Sequence, residues 1–317
     1  MTTRIHLYDT TLRDGTQREG LSLSASDKAK IAARLDAFGI DTIEGGWPGS
    51  NPKDAEFFRR VHAAPLRRAR VAAFGSTRRV GLSCGDDPSI QAIVAAGTSV
   101  VTIVGKSSVT HVRLVLETTR EENLRMIADT VAYFRALGKE VVYDAEHFFD
   151  GLALDASYAL ETLEAAHDAG ASVVVLCDTN GGSEPRHIAE SVDRVARHLR
   201  APLGIHPHND RGLALANALA AIDAGCVHAQ GTVNGYGERC GNLDLLALIA
   251  NLQGKRGMRC VADESLASLT ELSHYVASVA NLAPDAHAPF VGRAAFAHKG
   301  GIHVAAVAKN PAMYQRM

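Results

Sequence analysis

Two histidines one residue apart, His206 and His208 in the segment HPHND, are spaced to hold a cation. If they lie on a strand, alternation turns both imidazoles to the same side. A carboxylate at Asp14 and an amide oxygen at Asn242 extend them to a mixed nitrogen–oxygen set, with positions left for substrate or water. Such donors suit Mn²⁺, Zn²⁺, Co²⁺ or Mg²⁺, and no thiolate stands among them to single out zinc. Arg13, next to Asp14, has a use in that setting: a guanidinium stabilises negative charge developing on the carbonyl oxygen of a metal-bound 2-oxo acid. Asp210 reads equally as a partner that orients one histidine from behind and as a turn residue before the next helix. An H-x-H pair is common among ordinary core and surface histidines, so the argument rests on convergence of several residues.

Convergence needs elements to produce it. Short β-branched or apolar runs predict strands over 5–11, 42–47, 71–75, 100–105, 140–147, 172–179, 203–208 and 229–234. Amphipathic stretches between them predict helices over 26–38, 121–137, 157–169, 185–199, 213–224 and 243–252. In the first, Ala29, Ile31, Ala32, Leu35 and Phe38 share about one face, Ser24 or Ser26 caps the start, and Gly39 ends it. Gly138, Gly170 and Gly225 each follow a helix, where a left-handed residue is easiest. Strands alternating with helices form parallel sheets, and eight such units in about 250 residues predict a closed (β/α)₈ TIM barrel. An open doubly wound sheet would show a G-x-G-x-x-G turn after its first strand, where this chain reads TLRDGT. On a barrel, Arg13, Asp14, Glu44, Glu146, Asp178, Thr179, His206, His208 and Asn242 all fall at C-terminal strand ends, the face where this architecture does its chemistry.

After residue 258 the rhythm stops. The expected division is a catalytic barrel over 1–258 and a helical appendage over 259–317, with a helix at 263–280 and the Gly300–Gly301 pair near the end. The 317 residues carry a formal net charge of −2 and no long Lys/Arg run, so neither nucleic acid nor an anionic membrane is an expected partner. No apolar stretch is long enough to span a bilayer, and the N-terminus has no secretory core. Cys84, Cys177, Cys226, Cys240 and Cys260 are scattered without a C-x-x-C pair, which fits reduced thiols and a cytoplasmic setting. The remaining histidines, His111 and His147 among them, read as surface or packed residues.

The stretches LYDTTLRDGTQREG, HPHND and GTVNGYGERCGN resemble the signatures of the DRE-TIM metallolyase superfamily. IEGGWPGSNPKDAEFF, VVYDAEHFFDG and FAHKGGIHVAAVAKNP are most similar to the citramalate synthase group of its Claisen-condensing branch, which also holds the 2-isopropylmalate and homocitrate synthases. The resemblance implies an acyltransferase that joins acetyl-CoA to a small 2-oxo acid, with pyruvate first, in branched-chain amino-acid biosynthesis. It implies a divalent metal held by Asp14, His206, His208 and Asn242, and Arg13 polarising the keto oxygen. Thr179 would hold the substrate carboxylate, and Glu44 and Glu146 would be active-site glutamates, Glu146 with His303 serving as the base. His303 would come from the neighbouring subunit of a homodimer, with Asn310 and Tyr314 nearby. Pro207 departs from the small residue usual between the two histidines, but a strand end tolerates proline. The C-terminal effector-sensing domain usual in the family is not expected within these 317 residues. The competing readings are a sister synthase using 2-oxoisovalerate or 2-oxoglutarate, a lyase of the same superfamily, and a barrel kept as a binding or assembly module.

Overall fold

A computed structural model describes residues 4–310. Among them, eight parallel strands close into one ring in sequence order: β1 (His6–Asp9), β2 (Thr42–Gly46), β3 (Arg70–Ser76), β4 (Val100–Lys106), β5 (Glu140–Glu146), β6 (Val173–Asp178), β7 (Leu203–Pro207) and β8 (His228–Gly231). The ring is sealed by β1 against β8, with His6 opposite His228 and Asp9 opposite Gly231. The helices are α1 (Ala25–Phe38), α2 (Pro52–Ala63), α3 (Pro88–Ala95), α4 (Val109–Leu114), α5 (Arg120–Ala136), α6 (Phe148–Leu154), α7 (Ala156–Asp168), α8 (Pro185–His198), α9 (Ala214–Asp223), α10 (Leu245–Ile249), α11 (Asp263–Ala267), α12 (Leu269–Val279) and α13 (Gly301–Lys309). The expected barrel is therefore the observed one, with strand boundaries within three residues of the periodicity, the largest difference at the end of β8.

Local chemistry explains the elements. At α1 it is Ser24 that caps: its hydroxyl accepts from Asp27 N while Asp27 accepts from Ser24 N, and Gly39 ends the helix at φ 105°. Ile31, Ala32, Leu35 and Phe38 are buried as expected, but Lys28 rather than Ala29 joins them. Its ammonium reaches the Gly45 carbonyl and the buried Asp54 carboxylate, which also accepts from Trp47 N. Four helices, α2, α3, α4 and α6, sit in segments where periodicity predicts none. The start signals of two are plain: Asn51–Pro52 and Asp87–Pro88 pair a capping side chain with a proline at the first helical position. The expected helix at 243–252 is α10 running into a π-helical turn over Ala250–Lys255.

Two apolar layers hold the ring. The larger lies between strands and helices and runs on into Leu269, Leu272 and Val276 of α12. The smaller, with Tyr8, Ala72, Val100, Val142, Val175 and Cys177, comes from the alternate strand positions that face inward. The appendage beyond 258 thus divides: α12 packs against α1, whereas α13 contributes no buried residue. No helix among the described residues is long and apolar enough to cross a membrane.

Candidate metal centre and active site

The inward positions above the small apolar layer are polar, and they open at the C-terminal strand ends into a cavity of about 300 Å³. Asp14 enters it from a short 3₁₀ turn after β1 (Asp14–Gln17), His206 from β7, and His208 from one residue beyond β7. His208 pairs with Asn242 in an isolated antiparallel bridge, and its N–H donates to the Asp178 carbonyl. Pro207 costs no ladder donor there, and its carbonyl accepts from Leu243 N.

Ligand atoms of Asp14, His206 and His208 all lie within 4.8 Å of one another, on three buried residues. Asp14 Oδ2 is 3.1 Å from His206 Nε2, and the Asn242 amide lies 2.9 Å from Asp14 Oδ2 and 3.2 Å from His206 Nε2. Burial alone would raise the Asp14 pKa, but the Arg13 guanidinium and His206 outweigh it and hold the carboxyl well below its usual range. His206 is shifted up: burial opposes its charge, yet Asp14 more than compensates. His208 is pushed down to about 4 by burial and by its neighbour His206. Two buried atoms here lack any hydrogen-bond partner, His208 Nδ1 and Asn242 Oδ1. The amide oxygen and nitrogen of an asparagine exchange places by a half-turn, which brings Asn242 Oδ1 to the Asp14–His206 side. An ionised carboxylate, two imidazoles, one of them with an orphaned ring nitrogen, and an orphaned amide oxygen around one point are a donor set that fits a divalent cation.

Arg13 bounds the cavity on one side. Its Nε donates to Glu44 Oε1 at 2.5 Å, Nη1 lies 3.5 Å from Asp14 Oδ2, and the guanidinium sits 3.9 Å over the Phe74 ring, which Trp47 meets edge-on. Burial works against its charge, but Asp14 and Glu44 outweigh that and raise its pKa further. Glu44 does not reach the cavity lining: it is fully buried behind Arg13, where its other oxygen accepts from the Tyr8 hydroxyl at 2.8 Å.

Opposite stands a more open wall. Glu146 ends β5 and forms an ion pair with Lys106 at the end of β4; both line the cavity. Thr179 lines it as well, its oxygen accepting from His147 N at 2.8 Å, so its own O–H is free to donate inward. His147 holds a left-handed backbone (φ 54°) at the start of α6, and its ring meets that of His111 at a tilt of 48°, the centroids 3.9 Å apart. Asp178 serves the following loop instead, accepting from Gly182 N, Ser183 N and the Ser183 hydroxyl. Asp210 is engaged by Arg239 at 2.7 and 2.9 Å, which docks the Gly235–Gly241 loop, so it does not orient a histidine. That loop needs its glycines: a Cβ at Gly237 would meet Asn242 Oδ1 at 1.9 Å. His303 lies exposed on α13 and is not among the residues lining the cavity. Asn310 follows α13, and Tyr314 lies outside the described residues.

Three site residues escaped the sequence reading. Asp144 is buried on the cavity floor, and burial with the Glu44 charge raises its pKa to about 7. Strand alternation places it on the same face as Glu146, a signal that was available. Gln230, on β8, touches both Asp144 and His206. Lys106 lies one residue past the expected end of its strand.

The HMGL-like family model matches residues 4–276. The chain belongs to the HMGL-like family. Among solved structures, the hydroxymethylglutaryl-CoA lyase from Pseudomonas aeruginosa is similar, with a TM-score of 0.74 and 20% identity over 90% of this chain and 95% of that one. That likeness concerns the fold. Among curated relatives, the (R)-citramalate synthase of Synechocystis sp. is 55% identical over 99% of this chain, and that of Geobacter sulfurreducens 49% over 99%. A probable 2-isopropylmalate synthase of Methanopyrus kandleri is 35% identical over 99%. The chain spans about three fifths of the length of these relatives: 59%, 59% and 60%.

Proposed function

We propose that this HMGL-like chain carries the catalytic barrel of a Claisen-condensing acyltransferase that joins acetyl-CoA to pyruvate, giving (R)-citramalate and CoA. The observation that carries the reading is the buried Asp14–His206–His208 cluster facing one cavity with Arg13. The choice of pyruvate is supported by relatives named (R)-citramalate synthase at 44–55% identity, against 31–35% for those named 2-isopropylmalate synthase.

Asp14, His206, His208 and Asn242 would hold a divalent cation, Mn²⁺, Zn²⁺, Co²⁺ or Mg²⁺, which supplies Lewis acidity to a 2-oxo acid. Thr179 donates its hydroxyl to the substrate carboxylate. Glu146 takes a proton from the methyl group of the acetyl thioester, and the new carbon–carbon bond forms at the keto carbon. Arg13, held in place by Glu44 and Phe74, donates to the keto oxygen as it gains negative charge. Water then cleaves the thioester and releases CoA. Glu44 acts through Arg13 in this scheme, and His303 completes the base from a second subunit of a homodimer. The segment over 259–317 serves as a helical linker and lid.

The test is acetyl-CoA-dependent release of free CoA with Mn²⁺, offering pyruvate, 2-oxoisovalerate and 2-oxoglutarate in parallel. Preference for pyruvate is expected; preference for either other acid moves the chain to a sister synthase, and no release with any of them removes the condensing reading for this chain.

A further inference from the structure

We propose that Gln230 and Asp144 form a positioning relay that fixes the proton on His206, and so decides which ring nitrogen is offered to a cation. The inference rests on His206 being a metal ligand.

Gln230 on β8 is fully buried, and Asp144 on β5 nearly so. The Gln230 Oε1 lies 2.6 Å from His206 Nδ1, and its Nε2 donates to Asp144 Oδ1 at 2.9 Å. A glutamine amide has one donating and one accepting end. Asp144, as a carboxylate, can only accept, so it takes the donating end of the amide. The accepting end is then turned to His206, so Nδ1 must carry hydrogen. A ligating imidazole keeps a single N–H, so a cation that displaces the other proton finds the lone pair on Nε2, the nitrogen 3.1 Å from Asp14 Oδ2. Without Asp144 nothing stops the amide from turning over. It would then donate to Nδ1, put the hydrogen on Nε2 and close that nitrogen to a cation.

The relay spans three strands, β5, β7 and β8, and it serves one histidine only. His208 Nδ1 is buried without a partner, so nothing comparable sets its tautomer. Gln230 is not among the residues lining the cavity, so its influence reaches the site through His206.

The 317-residue chain is titrated calorimetrically with Mn²⁺ and with Zn²⁺, without substrate, as parent, Gln230→Met, Asp144→Asn and Asp144→Leu. Loss of a partner behind a metal-bound histidine weakens binding about 10–100-fold, the fall expected for Gln230→Met. Asp144→Leu should fall in the same direction, while Asp144→Asn, which keeps an acceptor oxygen, should stay within about threefold of the parent. Nitrogen NMR of the ¹⁵N-histidine-labelled parent, with His206 assigned by its absence in His206→Asn, should show Nδ1–H and a metal-shifted Nε2. A parent that binds neither cation removes the metal reading itself. A parent that binds, with Gln230→Met binding equally well or with His206 ligating through Nδ1, overturns the relay alone. Thermal unfolding without metal reports whether each variant folds; if Gln230→Met does not, the Asp144 pair and the parent spectrum decide.

Discussion

On the β1–β7–β8 side of the cavity, Asp14, His206, His208 and Asn242 are each at most 6% exposed, and Asp14, His206 and Asn242 are cross-bonded to buried partners. On the β4–β6 side, Lys106 and Glu146 keep 22% and 24% of their side chains open and hold each other as an ion pair. The first wall keeps charge in one geometry, at the desolvation cost that only close partners offset. The second is wet enough that its ion pair contributes about 1 kcal/mol or less and is readily exchanged for a substrate. One cavity thus joins a fixed binding wall to an adjustable chemical one.

Substitutions should separate the walls. His208→Ala is expected to abolish both metal binding and CoA release, read by calorimetry and by thiol titration; full activity would remove the cation from the site. Glu146→Gln should lower turnover about 10²–10⁴-fold, the usual worth of a positioned base, and leave metal affinity unchanged. A matching loss of metal affinity would mean that the walls are not independent. Arg13→Ala should keep metal and lower kcat about 10²–10³-fold, the cost of removing one donor to a developing oxyanion. An unchanged kcat ends its role there.

The smallest effect concerns Asp9, buried at the end of β1 and bonded to Thr11 N and Oγ1. Burial raises its pKa from 3.8 to about 7. The folded state therefore binds this proton more tightly than the unfolded chain, and the group's contribution is present below about pH 4 and lost as pH rises through 7. Asp9→Asn should flatten the decline in the urea midpoint between pH 4 and 7. A pH profile parallel to the parent's would show that Asp9 does not titrate there.

The strands and the long helices were legible because burial imposes a period on them. Val100–Lys106 and Val173–Asp178 are apolar runs that only a strand buried on both faces explains. The H-x-H pair, Asp14 and Arg13 were legible because few residue types do that chemistry. Gln230 was not: an amide in a short strand looks like any polar residue until Asp144 and His206 are seen on either side of it. Glu44 shows the opposite case, a strand-end carboxylate whose partners turn it toward Arg13 and Tyr8 instead of the cavity.

The barrel has a seam, where β1 meets β8, and the candidate cation site straddles it. Asp14 follows β1, and Asn242 lies just after β8, 228 residues later. During synthesis on the ribosome, the first strand emerges long before its partner, so the site does not exist until Asn242 has been added. A cation bound there acts as a clasp on the last contact to form. Holding free metal at about 100 times its dissociation constant would add about 2.7 kcal/mol against reopening, so chelation should loosen the molecule first along β1 and β8, its two oldest and newest strands.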